Sequence, residues 1–280
     1  MRIHVLHSTE YRYDSPVFLE PHTFRLRPRH DGAQRLLAYR LDISPEPVGR
    51  TDCLDQDGNV VVEAWFEGQR TEWRIESEFE IETLRENPFD YVASPGMLTL
   101  PPAYPEAVAA SLAPYLDAAS PQAAVCEFAA SAADAAGGRT LEFLSVLNRR
   151  IFEGFGHEVR DTGAPHPPAV TLGLRAGTCR DLAVLFAAAA RSAGVPTRFV
   201  SGYEAGAAGQ ENPYLHAWAE AYVQCGGWRG YDPSAGLAAS TSHVAVAAAA
   251  APALAAPITG SIRGSARAQM RYSLAMRLGS

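Results

Sequence analysis

The sequence predicts an α+β protein, with an antiparallel, β-sandwich-like part in residues 1–100 and a helix-bearing core in residues 101–280. Three observations carry that reading. Alanine, the best helix former and a poor strand residue, occurs 4 times in residues 1–100 and 45 times in residues 101–280. Charge divides at the same place: the first part holds 11 Arg against 18 Asp or Glu, and the second holds 13 of each. Strand-like runs without helices fill the first part, whereas helical and strand patterns mix in the second.

The elements follow in order. Residues 1–14 alternate, with Ile3, Val5 and His7 on one face and His4 and Leu6 on the other. Further strand-like runs are 22–29, 34–44, 59–67 and 70–84, and Asp57-Gly58-Asn59 supplies a turn between two of them. Pro88, Pro95, Pro101, Pro102 and Pro105 punctuate a connector. Helical patterns cover 105–117, 121–136 and 139–153; in the last, Leu141, Leu144, Val146, Leu147 and Ile151 form a face behind a Thr140 cap. A proline-rich loop at 161–168 precedes a helix at about 179–193. Strands follow at 196–205, 214–223 and 228–232, with one more strand-like run near 266–278 and no internal repeat.

Composition excludes several functions. With 280 residues the chain can bury a real core, in one or two domains. All 24 basic residues are Arg, so Schiff-base chemistry and a P-loop lysine are ruled out, and the chain offers no Lys amine to a cross-linking reaction. An acidic first part argues against nucleic acid as a partner. The alanine-rich stretch near 245–256 is interrupted by Pro252 and Pro257, so no membrane span is expected, and the opening MRIHVLHSTEYRYD lacks the apolar run of a signal peptide. The four cysteines (Cys53, Cys126, Cys179, Cys225) form no CxxC pair, which makes a reduced, cytoplasmic protein the expectation. His4 and His7 point to opposite faces, and His30, His157 and His166 sit near turns. Neither a metal nor a cofactor is expected.

One constellation carries chemistry. Gly177-Thr178 breaks any preceding helix and LAVLFAAAARSAG continues as one to a C-capping Gly194, placing Cys179 at a helix N-terminus. The partial positive charge there favours thiolate over thiol. Position alone is weak support, because most cysteines are simply small buried apolar residues, and Cys53, Cys126 and Cys225 are read that way. Leu215-His216-Ala217-Trp218-Ala219-Glu220-Ala221-Tyr222 alternates as a strand with His216, Trp218, Glu220 and Tyr222 on one face. After the Gly226-Gly227 turn, positions near 231–237 are expected opposite 216–222, which brings Asp232 toward His216. A flanked His is more often a satisfied core residue, and an Asp before Pro an ordinary turn residue. In combination the three supply a thiol nucleophile, a base and an orienting carboxylate, with helix N-terminal amides for an oxyanion. Trp218 reads as core more than as a substrate platform. The Gly/Ala-rich loop 204–213 reads equally as a surface loop or as a lid.

The segments GTCRDLAVLFAAAARSAGVPTRFVSGY, HAWAEAYV and GWRGYDPSAG resemble the three core motifs of the transglutaminase-like superfamily. The stretch from HSTEYRYDSPV through HTFRLRPR to the Asp57-Gly58-Asn59 turn is similar to the β-domain that precedes this core in a bacterial branch, whose members are called transglutaminase-like enzymes or candidate cysteine proteases. The resemblance implies a papain-like transglutaminase core with Cys179, His216 and Asp232 as its triad. It also implies acyl transfer from a peptide or protein amide through a thioester. Thr178, Arg180, Trp218 and Tyr203, all within the motifs, become candidates for substrate or oxyanion contacts. Two departures stand out: Val184 occupies a position where relatives carry His, and alanines and prolines at 248–257 replace a charged segment. No calcium-loop spacing accompanies the motifs, so a hydrolase or peptidase is expected ahead of a cross-linker. A non-catalytic binding module that kept the fold is the alternative of a different class.

Overall fold

The structure is a computed structural model that describes residues 1–116, 122–160, 162–205 and 215–279. Its first unit is a curled antiparallel sheet built around one long strand, β1 (Arg2–Phe24), with β2 (Gln34–Ser44), β3 (Gly49–Leu54), β4 (Val60–Trp65) and β5 (Gln69–Thr83) in the order β2-β5-β1-β4-β3. The alternation read at the N-terminus is real: Ile3, Val5 and His7 are buried on one face. It continues well past residue 14. The pairing of β1 with β5 shifts register between Arg12 and Val17 and ends at Phe18, and from His22 to Phe24 the strand pairs with β4 instead.

Chain order and sheet membership part company at the C-terminus. The helices α1 (Glu106–Leu112), α2 (Ala123–Ala135), α3 (Thr140–Gly154), α4 (Pro168–Leu174) and α5 (Cys179–Ser192) follow the sheet. The two-residue strands β6 (Gly156–His157) and β7 (Ala176–Gly177) pair in parallel on either side of α4. A second sheet comprises β8 (Thr197–Glu204), β9 (Leu215–Val223), β10 (Gly227–Asp232), β11 (Leu237–Ala238) and β12 (His243–Ala249), in the order β11-β10-β9-β8-β12. The last two strands, β13 (Ile258–Arg263) and β14 (Ala268–Gly279), then return to pair with β1. The tail grouped with residues 101–280 by sequence therefore completes the first sheet. A period-2 pattern identifies a strand and its faces but says nothing of a partner some 250 positions away.

Apolar burial explains the stacking. Helices α2, α3 and α5 enclose Phe143, Leu147, Leu182 and Phe186 against Ala219, Ala221 and Tyr231 of the second sheet. The two sheets meet through Ile3, Val5, Phe79 and Ile81 on one side and Tyr203, Val244 and Val246 on the other. Each such side chain stabilises the contact by about 1.5–3 kcal/mol when removed from water. Strand β12 lies at a sheet edge, where its outward N–H and C=O groups need partners. Two buried amides of the first domain supply them. Asn59 bonds both the N–H and the C=O of Ala248, and Gln34 does the same for Ala245. The turn residue Asn59 thus has a second task, and the alanine-rich segment is an ordered strand followed by a short 3-10 helix at Pro252–Ala255. No helix among the described residues is long and apolar enough to cross a membrane.

Candidate active site

Helix α5 begins at Cys179 because Thr178 and Asp181 cap one another. The Asp181 carboxylate accepts from the Thr178 N–H and hydroxyl, both at 2.8 Å, while the Asp181 and Leu182 amides bond back to the Thr178 carbonyl. The amides of Cys179 and Arg180 are left without an intrahelical acceptor, as in any first turn. Asp181 is fully buried and also receives the His166 N–H at 2.7 Å and an Arg160 N–H at 2.9 Å. Burial alone would raise its pKa, but these donors outweigh burial and hold it below the ordinary carboxylate value. Arg180 reaches back to the carbonyls of Arg160 and Thr162. The chain before α4 is thereby fastened over the start of the helix.

Behind the thiol the packing is small. Half-buried Cys179 and Val184 lie against Ala183, Phe199, Ala217, Ala247, Ala249 and Ala255. Ala249 and Ala255, from the segment that replaces charged residues in the resemblance, and Val184, in place of a His, form part of this apolar backing.

Strand β9 places His216 beside this helix end, 3% exposed. Its partner β10 runs from Gly227 opposite Val223 to Tyr231 opposite Ala219, three positions short of the expected register because the strand starts directly at the glycine turn. Asp232 comes next, diagonal to His216, and its Oδ2 lies 2.6 Å from His216 Nε2. Asp232 takes Nε2, and the Cys179 thiol acts electrostatically on the same imidazole. Burial favours neutral imidazole, but the hydrogen bonds and charges of Asp232 and Cys179 overcome it and raise the His216 pKa to about 10. Asp232 is fully buried. Against that desolvation, donors from His216, His243 and Ser234 hold it far below the usual carboxylate range.

The structure thus brings Cys179, His216 and Asp232 together and adds His243, which the sequence pattern alone does not single out. His243 Nε2 is 3.2 Å from the same Oδ2. Ligand atoms of His216, Asp232 and His243 lie within 4.8 Å of one another, close enough to suggest a metal site. The donor pattern argues otherwise. The Ser240 backbone N–H points at His243 Nδ1, so Nδ1 accepts and Nε2 carries the proton, with no lone pair for a metal.

Cys179 opens into a cavity of about 640 Å³ between the two domains. Thr178, Arg180, His157, Glu158 and Arg160 line one side; Tyr11, Met270 and Tyr272 of the first sheet line the other. Of the four candidates for substrate contact, Thr178 and Arg180 face this cavity. Trp218 and Tyr203 do not, each being 1% exposed. Trp218 packs behind the imidazole with Val200 and Ala248, and the Tyr203 hydroxyl bonds His7 Nδ1 across the domain contact at 2.9 Å. Both sit on strands covered on both faces, which side-chain chemistry alone does not reveal. Of the remaining cysteines, Cys53 and Cys225 are exposed and Cys126 is half-buried, so the first two are not the buried residues expected. Most of the loop 204–213, read as a possible lid, lies outside the described residues.

Comparison with known proteins follows the same division. Residues 3–82 match the bacterial transglutaminase-like N-terminal region, and residues 130–233 match the transglutaminase-like superfamily. An uncharacterised protein of Mycobacterium tuberculosis is 32% identical over 250 residues, covering 83% of this chain and 78% of the relative. One from Mycobacterium leprae is 26% identical over 268 residues, covering 88% and 87%. The solved structure of a candidate cysteine protease from Cytophaga hutchinsonii superposes with a TM-score of 0.73 at 20% identity, over 100% of this chain and 92% of that one. At that identity the likeness is one of fold.

Proposed function

The chain belongs to the transglutaminase-like superfamily, and on that premise we propose that it is a cysteine-dependent amidohydrolase or peptidase acting on a peptide or protein amide. One observation supports this above others: a thiol at a helix N-terminus, opening into a cavity, interacts electrostatically with an imidazole whose Nε2 is held by a buried carboxylate. Such an imidazole is protonated at neutral pH and stabilises a thiolate beside it.

The Cys179 thiolate attacks the amide carbon, and the C=O electron pair moves onto oxygen. That oxyanion is met by the first-turn amides of α5, the Cys179 N–H among them. As it collapses, the C–N bond breaks, His216 gives its proton to the departing amine, and a thioester remains. Water then attacks the thioester while His216 takes its proton. Breakdown of the second tetrahedral species releases the acid and restores the thiolate–imidazolium pair. Asp232 stays ionised throughout, fixing the ring orientation and stabilising imidazolium.

The test is mass spectrometry of a peptide panel incubated with the protein, with and without a primary amine. Cleavage or deamidation at unchanged yield in the presence of amine supports hydrolysis. Amine incorporation would convert the reading to transglutamination, with an acceptor from outside because this chain has no Lys. No product of either kind would leave a non-catalytic binding module.

A further inference from the structure

His243 is 6% exposed and plays no part in the mechanism just described, yet three elements converge on its ring. At the start of β12, the turn from Ser240 closes on it: the His243 N–H donates to the Ser240 carbonyl, and the Ser240 N–H points at His243 Nδ1 from 3.5 Å. The Ser242 hydroxyl lies 3.0 Å from the same nitrogen. A backbone amide cannot accept, so Nδ1 is the acceptor and the proton sits on Nε2. From β10, Asp232 Oδ2 receives that Nε2–H. From β9, the Trp218 ring meets the imidazole edge-on, with centroids 5.2 Å apart. The charged and titratable groups facing it are Asp232, His216 across a centroid distance of 6.0 Å, and Glu204, paired with it across β8.

Asp232 is thereby saturated on both oxygens. Oδ1 takes the Ser234 N–H and hydroxyl, and Oδ2 takes one imidazole from each side. With Oδ1 held by Ser234, the remaining freedom of the carboxylate is a swing of Oδ2, which His216 alone would leave free to move with its ring. A second donor on a different strand fixes where that oxygen lies, and so where His216 points.

We infer that His243 is a positioning residue of the proposed cysteine site: its Nε2–H anchors Asp232 Oδ2 and holds His216 toward Cys179. The inference rests on the reading of Cys179 as nucleophile. It separates His243 from the many buried histidines that serve only packing.

The test follows alkylation of Cys179 by iodoacetamide from pH 4.5 to 9 in the full chain, with thermal melting as the measure of fold. His243→Ala should slow labelling at pH 6 about tenfold, the size expected from one hydrogen bond to a charged group, and move the acidic limb of the profile upward. His243→Gln, whose amide can donate from a similar place, should restore the rate to within about threefold while Cys53 and Cys225 label unchanged. A His243→Ala profile that superposes on the parent's, whatever its melting point, overturns the inference and leaves the nucleophile reading intact. A parent protein in which Cys179 labels no faster than Cys53 ends both. Should His243→Ala fail to fold, nitrogen NMR of the parent decides: a proton on His243 Nε2 upholds the inference, and an Nδ1–H tautomer with bare Nε2 refutes it.

Discussion

Replacing Asp232 with Asn keeps the side chain's shape and removes its charge. The carboxylate is fully buried and lies 2.6 Å from His216 Nε2, so the substitution strands an imidazolium in an apolar setting. Loss of one partner from a buried pair costs about 3–5 kcal/mol. At 1.36 kcal/mol per factor of ten, acylation should slow by about two to four orders of magnitude. The Asn amide can also donate to Nε2 and force the wrong tautomer, which acts in the same direction. The fold should survive, because Oδ1 still accepts from the Ser234 and Ala235 amides. The assay is single-turnover acylation with a substrate from the peptide panel, alongside circular dichroism. A folded variant that acylates within threefold of the parent would remove Asp232 from the mechanism and refute the reasoning.

Two pH windows and one interface give further outcomes. The His216 pKa is raised from 6.5 to about 10, so its contribution to stability is complete below 6.5 and is lost as pH rises toward 10; melting temperature should fall across that window, and less so in His216→Ala. Burial lowers His7 from 6.5 to about 4, so its contribution is present above 6.5 and lost as pH falls toward 4; His7→Gln should flatten that acid limb of a melting curve. Asn59→Ala leaves the N–H and C=O of Ala248 without their partners, and should cost about 2–6 kcal/mol by denaturant titration at 1–3 kcal/mol per buried group. An effect under 1 kcal/mol would mean that water replaces the clamp.

Much of the site was readable in the chain because local signals place its parts. Gly177-Thr178 ends one element and caps the next, which puts Cys179 at the first turn of α5. The 215–222 alternation puts His216 on the face it occupies, and the Gly226-Gly227 turn returns the chain to Asp232. What escaped depended on distant partners. His243 acquires a role only when β12 docks against β8, and Tyr203 proved to be a domain tie because His7, 196 residues earlier, lies above it. Helix α4 was hidden by Pro167-Pro168, which read as loop but occupy its cap and first position. The 248–257 alanines, which stand out in the chain only as a departure from the resemblance, include part of the close-packed backing of Cys179.

Differential alkylation of the native protein at pH 6 tests the thiolate–imidazolium pair most directly. Cys53 and Cys225 are the more exposed thiols and would react first if access alone governed the rate. At a pH well below the free-thiol pKa of about 8.5, Cys179 should nevertheless be carbamidomethylated at least about tenfold faster than either. Equal or slower labelling of Cys179 would contradict an activated nucleophile at the head of α5.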